Sequence, residues 1–359
     1  MIKQNAPWPL PNPYASNCGT FTLSLDFELV WGAMDHHAPK THKRTCEIGR
    51  FEVIEHLLKL FEEFNISATW CIVGHLFLKE CTPMNGQKHP EIWRQAPSTG
   101  AKDWFTDDPC TNEKRDPIFY GQSLVDRIHN CSVPQEIGSH SFSHVVFDES
   151  TCSQERAESE LAACVELARQ MGIKLYSFAF PKNLPGYLEL LPRYGFKCYR
   201  GPEESFCYKY WWIPKWMKRA KNLWDVLRIA TPSVIVPEQT LPGLWNVKAS
   251  MIYFPIHGVR RLIPMSFRIK RAIKGLDAAA QNKRTFHLWL HPCNMAFHKD
   301  KMFNGLRDIL EHACALRDKN LLEIRPMRTL IPDEASRVIG RDLPFSSTKV
   351  HNTEDILYH

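Results

Sequence analysis

The chain alternates short apolar runs with longer amphipathic stretches. The first run, Phe21–Phe27, is apolar and β-branched, reads as a strand, and ends in Asp26-Phe27-Glu28. From Arg50 to Phe64, residues Phe51, Ile54, Leu57, Leu58, Phe61 and Phe64 fall on one helical stripe, which Asn65 closes. Ser67–Val73 reads as a buried strand. The rhythm then lapses: from about Cys81 to Pro117 the chain is polar, broken by Pro and Gly, and without a period, which predicts a long, partly irregular insertion. Alternation resumes with Gln135–Ser139 (strand), Ser153–Met171 (helix, stopped by Gly172), Tyr176–Pro181 (strand), Pro185–Tyr194 (helix) and Phe196–Tyr199 (strand). Ala249–Phe254, Thr285–His291 and Leu321–Ile324 read as strands, Phe267–Gln281 and Lys301–Asp318 as helices. About seven strands separated by helices predict a parallel α/β architecture, either a barrel or an open sheet. Residues 1–20 form a Pro-rich lead-in. One domain is expected over 21–330, with insertions near 81–120 and 201–245, and 331–359 is a polar, peripheral tail.

Composition narrows the setting. An apolar fraction of 44% supports a full core, and a net charge of +6 over 359 residues permits an anionic partner without amounting to a nucleic-acid signature. The twelve cysteines are scattered with no CxxC pair, the N-terminal stretch lacks a basic-then-apolar signal, and no apolar run is long enough to span a membrane. The expectation is a cytoplasmic protein with reduced thiols.

Three stretches place charged or imidazole groups at predicted strand ends, where parallel α/β folds build their sites. Asp26 and Glu28 are two apart, so an extended chain points both carboxylates to one face; the plainer reading is two solvated acids after a finished strand. His140 and His144, at i and i+4, would share one face of a helical turn, close enough to hold one metal ion; the plainer reading is two unrelated histidines among sixteen. His291 ends the apolar strand of Phe286-His287-Leu288-Trp289-Leu290-His291, which suits a general acid, or merely caps that strand. Two histidines and one carboxylate make a facial ligand set with open positions for water and substrate.

In this order the three stretches resemble the NodB-homology polysaccharide deacetylases, the fourth carbohydrate-esterase family. That family carries an acidic pair after its first strand, a His-x-x-x-His pair and a late Leu-x-Leu-His, matched here by His140–His144 and by Leu288-Trp289-Leu290-His291. The likeness spans roughly Phe21 to Arg325. It is nearest to the subset found in bacterial surface-polysaccharide gene clusters, where Ser-Leu-Asp-Phe-Glu-Leu-x-Trp-Gly and Phe-Pro-Lys/Arg-Asn recur. The resemblance implies a distorted (β/α) barrel with long loop insertions. It implies Asp26 as general base, His291 as general acid, and Glu28, His140 and His144 as ligands of a divalent metal, zinc first among several. Pro181 and Lys182, with the Lys182 backbone N–H stabilising an oxyanion, and Trp31 and Leu290 beside the acyl group, are its implied substrate contacts. Three departures stand out. Phe27 separates an acidic pair that is usually adjacent. Ala179 occupies the place of an Arg that braces the base, leaving Lys182 or another basic residue to compensate. The Asp that tunes the acid histidine has only Asp225 as a positional counterpart.

The resemblance implies a hydrolase that removes an N-acyl group, in the first instance acetyl, from an aminosugar or saccharide precursor. The alternatives are a deformylase of a lipid-linked aminosugar and a carbohydrate-binding protein that has lost catalysis. Residues 206–228 interleave Trp211, Trp212, Trp216 and Trp224 with Lys215, Lys218, Arg219, Lys221 and Arg228, and Arg260, Arg261, Arg268, Lys270, Arg271 and Lys274 follow. This suits a peripheral contact with an anionic membrane, or a groove for a nucleotide- or polyprenyl-phosphate-linked sugar; the plainer reading is a packed lid with solvated lysines. Nucleic acid is not expected as a partner.

Overall fold

Nine consecutive buried residues, Gly19–Phe27, form the central strand β1. Its apolar run carries no in-out alternation because both faces and both edges are covered, as expected of a strand inside a parallel sheet. The structure is a computed structural model that describes residues 17–36, 40–94, 104–203, 217, 224–225 and 228–332. After β1 come helices α1 (Lys40–Ile48) and α2 (Ile54–Phe64), joined by one π-helical turn, then β2 (Thr69–Ile72), α3 (Gln122–His129) and β3 (Glu136–Ser139). The chain continues through α4 (Gln154–Gln170), β4 (Ser177–Ala179), α5 (Leu190–Arg193), β5 (Cys198–Arg200) and the hairpin β6 (Glu238–Leu241) and β7 (Leu244–Asn246). Strand β8 (Met251–Ile252), α6 (Met265–Asn282), β9 (Thr285–Leu290), α7 (Lys299–Asp318) and β10 (Leu322–Ile324) complete it.

The ten strands form one sheet in the order β6-β7-β5-β4-β3-β2-β1-β9-β8, with β10 also paired to β1. All pairings are parallel except the β6–β7 hairpin. Backbone hydrogen bonds show how this order curls into a barrel. Trp245, Val247 and Ala249 donate to Lys197, Tyr199 and Gly201, after which Ser250 donates to His287 and Tyr253 to Trp289. One stretch, 244–253, therefore lines β5 with its first half and β9 with its second, drawing the two sides of the sheet together. β10 occupies the lower part of β1, at Gly19–Phe21, while β2 takes the upper part, at Ser24–Phe27.

Local chemistry explains the elements. Ser153 caps α4 by accepting from the Arg156 N–H, Asn65 ends α2 in the left-handed region, and Gly172 at φ +71° turns the chain after α4. The stretch expected to be helical over Pro185–Tyr194 is reduced to the single turn α5. Pro185 and Pro192 remove two backbone donors, and Gly186 lies so close to Phe147 that a Cβ there would sit 1.7 Å from its carbonyl oxygen. Helices α1 and α3 and the β6–β7 hairpin were not anticipated; each is short and set in polar sequence. The described residues between β2 and α3 are irregular, with short 3₁₀ turns at Gly74–Phe77 and Trp104–Asp107. Most of 206–228 lies outside the described residues.

Helix α6 lies against β9 through Gly275, where a Cβ would fall 2.4 Å from the Phe286 ring. Gly275→Ala gains about 1 kcal/mol of helix propensity but must push the helix off the strand, an overpacking cost of about 1–3 kcal/mol. The expected outcome is a lower urea midpoint; an unchanged or higher one would show that this contact is slack.

Candidate active site

The upper ends of β1, β3, β5 and β9 meet at one rim of the barrel. Asp26 is the penultimate residue of β1 and Glu28 follows it; His140 follows β3, Arg200 ends β5, and His291 follows β9. Glu28 Oε1 is 3.0 Å from His140 Nε2, 3.2 Å from His144 Nε2 and 3.5 Å from His291 Nε2. His291 Nε2 is also 3.8 Å from Asp26 Oδ2. The five residues singled out in the sequence thus converge at one rim of the barrel.

His140 and His144 converge by a route different from the expected helical turn. The segment after β3 is a loop in which Ser141 and His144 both take left-handed backbone conformations, at φ +58° and +62°. Between them, buried Ser143 is clamped to α4: its N–H and Oγ–H donate to the two Glu160 oxygens at 2.8 and 2.7 Å, and Arg156 braces Glu160 at 2.9 Å. Glu28 has its own structural requirement. A Cβ on Gly32 would lie 1.9 Å from Glu28 Oε2, so the turn after β1 needs glycine there for the carboxylate to keep its place.

The chemistry of this donor set fits a divalent cation. His140 Nδ1 donates to the Ala179 carbonyl at 2.7 Å, which leaves the Nε2 lone pair aimed at the Glu28 carboxylate. Two acceptors 3.0 Å apart repel unless a proton or a cation lies between them. Glu28, His140 and His144 offer donor atoms all within 4.8 Å of one another, an N,N,O set suited to zinc and related ions.

Asp26 is held differently. Arg200 grips it with two charge-assisted hydrogen bonds of 2.6 Å each, and both side chains are buried. Burial raises the Asp26 pKa, but Arg200, helped by His140 and His291, outweighs it and holds the carboxyl below its ordinary range. Burial likewise opposes ionisation of Glu28, and the surrounding histidines, His291 first, bring it well below the usual value. Arg200 supplies the brace missing at Ala179: the two residues are register partners on adjacent strands, so the guanidinium has moved one strand sideways. It is packed 4.3 Å from the Trp289 ring and accepted by Asn183 Oδ1 at 3.0 Å, at the end of a turn where Lys182 and Asn183 are both left-handed. It also donates to Ser24 Oγ at 3.1 Å, and Ser24 in turn bonds His287 Nε2 at 2.8 Å.

Other expected residues sit less directly. Pro181 is buried and Lys182 exposed in the turn below Arg200. Trp31 and Leu290 are fully buried, and the Trp31 indole donates to the Phe119 carbonyl, so direct contact with a substrate would require neighbouring side chains to move. Asp225 pairs with Arg228 at 3.0 Å, while His291 Nδ1 has no hydrogen-bond partner among the described residues, so no carboxylate holds that nitrogen. Arg200, Asn183 and His42 were missed. His42, on α1, lies near enough to Glu28 and His291 to feel both, with burial lowering its pKa. Of the basic residues after 260, Arg268, Arg271 and Lys274 are tied to backbone carbonyls of Phe254, Ala230 and Ile229. Those three serve the fold rather than an open basic groove.

No protein-family model matches the chain, and no curated protein matches it in sequence. Solved structures do match. A provisionally named polysaccharide deacetylase from Mycobacterium smegmatis superposes with a TM-score of 0.55 at 14% identity, covering 97% of this chain and 98% of its own. A Puue allantoinase gives 0.56 at 10% identity, over 96% and 100% of the two chains. A second provisionally named polysaccharide deacetylase, from Pseudomonas aeruginosa PAO1, gives 0.54 at 12%, over 94% and 96%. The barrel is therefore the NodB-like deacetylase fold, shared along almost the whole chain; at these identities the likeness concerns the fold.

Burial, reinforced by the charge of Arg200, lowers the pKa of His287 to about 3. The unfolded chain, protonating at about 6.5, binds more protons than the fold below that value, so the contribution is complete above it and drains away as pH falls toward the folded pKa. Between about pH 6.5 and about pH 5 the wild type should lose roughly 2 kcal/mol that the non-titrating His287→Gln does not. Urea midpoints at both pH values check this, and equal losses would contradict a neutral, buried His287.

Proposed function

We propose that this chain is a metal-dependent amide hydrolase that removes an N-acyl group, acetyl in the first instance, from an aminosugar or saccharide precursor. The observation that carries the reading is the division of labour between two neighbouring carboxylates. Asp26 is committed to Arg200, and Glu28 is committed to His140 and His144.

Glu28, His140 and His144 would hold the ion, which when bound polarises the acyl carbonyl and lowers the pKa of water. Asp26, kept ionised by Arg200, takes the proton of the attacking water. The bidentate grip also fixes its orientation, so no reorganisation is needed at the moment of transfer. His291, with Nε2 directed at the same space, delivers a proton to the departing amine nitrogen. Its Nε2 lies 3.5 Å from Glu28 Oε1 and 3.8 Å from Asp26 Oδ2, within the space the two acids share. The Ser24–His287 pair lies behind Arg200 and keeps the guanidinium from rotating away. The Lys182 backbone N–H, in the turn after Pro181, is the proposed second stabiliser of the oxyanion.

A cytoplasmic setting, with the sugar on a nucleotide or polyprenyl-phosphate carrier rather than in an exported polymer, is part of the same proposal. Among the described residues no helix is long and apolar enough to cross a membrane. The turn Gly258–Leu262 exposes Val259 and Leu262 beside Arg260 and Arg261, a surface that suits an amphiphilic, anionic carrier.

Mass-spectrometric detection of released acetate or formate from a panel of acylated aminosugars and their carrier-linked forms tests the reading. Asp26→Asn should lower kcat by roughly 10²–10⁴-fold with metal content unchanged. Chelation should abolish release and zinc should restore it. Sugar binding that survives chelation, with no product from any substrate, would instead establish a binding protein.

A further inference from the structure

The irregular region after β2 contains a second cluster of ligating groups, separate in residues from the active site. His75, Cys81, His89 and Asp108 bring one donor atom each within 4.8 Å of one another. We propose that these four residues form a structural zinc site that pins the insertion to the barrel.

The donor geometry carries the proposal. His75 Nε2 is 3.1 Å from His89 Nε2 and 3.4 Å from Asp108 Oδ2; His89 Nε2 is 2.7 Å and Cys81 Sγ 3.9 Å from that same oxygen. Ligand bonds of ~2.0–2.3 Å in a tetrahedral zinc site place neighbouring donors roughly 3.3–3.7 Å apart, which these separations straddle. The ring orientations agree. His75 Nδ1 faces the Phe119 carbonyl at 3.0 Å and His89 Nδ1 faces a Glu91 carboxylate oxygen at 3.2 Å; both partners only accept, so both Nδ1 atoms carry the hydrogen. Both Nε2 lone pairs then point inward at each other and at Asp108. A single proton can serve one of these contacts, whereas one cation between them serves all. His75, His89 and Asp108 are buried, where facing acceptors without a counter-charge are costly.

The segment also has a need for such a site. Between Leu78 and Pro117 the described residues contain no helix longer than one 3₁₀ turn, and only Ile92 and Phe105 are buried apolar residues. A soft thiolate with two imidazoles and a carboxylate selects zinc over magnesium or calcium, and a full protein ligand set marks a structural rather than a catalytic ion. Binding would release the Cys81 thiol proton, leaving the sulfur as thiolate. The site bears on the active site through one carbonyl. Phe119 O accepts from His75 Nδ1 and also from the Trp31 indole at 3.0 Å, and the two rings lie 4.2 Å apart. Trp31 belongs to the turn that follows Glu28.

Cobalt substitution tests this directly, because the catalytic donor set contains no sulfur. The full-length protein refilled with cobalt(II) should show a thiolate-to-cobalt charge-transfer band in the near ultraviolet. That band should persist in His140→Ala/His144→Ala and vanish in Cys81→Ser. Elemental analysis should give two zinc ions per wild-type chain and one in the His140→Ala/His144→Ala variant. The charge-transfer band with a single zinc per wild-type chain would uphold this site and count against the catalytic one. A folded wild-type protein without the band, or a Cys81–Cys110 disulfide in a non-reducing peptide map, would overturn the proposal.

Discussion

Two carboxylates, Asp26 and Glu28, are built into the mouth of a barrel whose surroundings are largely apolar, and buried anions must be compensated. Much of the rim can be understood as that compensation. Arg200 crosses the barrel to take both oxygens of Asp26, and it is itself supported by Asn183, Ser24 and the Trp289 face. Glu28 receives three imidazoles instead, two from the loop after β3 and one from the end of β9. Phe27, the intervening residue, is fully buried and separates the two arrangements along the strand. The pair is therefore chemically asymmetric although the residue types are nearly alike. In the proposed mechanism that asymmetry assigns one acid the part of base and the other that of ligand.

The barrel framework was legible because its long elements carry strong patterns. The apolar run of β1, the stripe of α2 and the capped α4 could be read from periodicity alone, and His140 and His291 stood at predicted strand ends. What escaped was set by contacts between distant parts of the chain. Arg200 follows the strand Phe196–Tyr199 in the same way that His291 follows its own. The criterion that singled out His291 applies to it equally, but the sequence does not say which basic residue compensates for Ala179. Only the register of β4 against β5 shows that Arg200 stands beside that position. The His140–His144 pair was recognised for a helical spacing it does not adopt. Its geometry comes from two left-handed residues and the Ser143–Glu160 clamp, both invisible to periodicity.

The insertion shows the complementary failure. Low periodicity and abundant polar residues correctly suggested irregular structure, yet the same polarity conceals His75, Cys81, His89 and Asp108, which are far apart in sequence and close in space. Spacing rules for metal sites depend on short motifs, and this cluster has none. The basic residues after 260 admitted both a binding groove and a packed lid, and Arg268, Arg271 and Lys274 bond to backbone carbonyls, a contact that charge patterning does not reveal.

The proposed chemistry requires Glu28, His140 and His144 to hold a cation while Asp26 is left to Arg200. Crystals grown with zinc and measured at the zinc absorption edge test it most directly. An anomalous peak about 2.0–2.2 Å from a Glu28 oxygen and both histidine Nε2 atoms, with the Arg200–Asp26 pair intact, is the predicted result. A peak ligated by Asp26 in place of Glu28, or none between the two histidines, would contradict it.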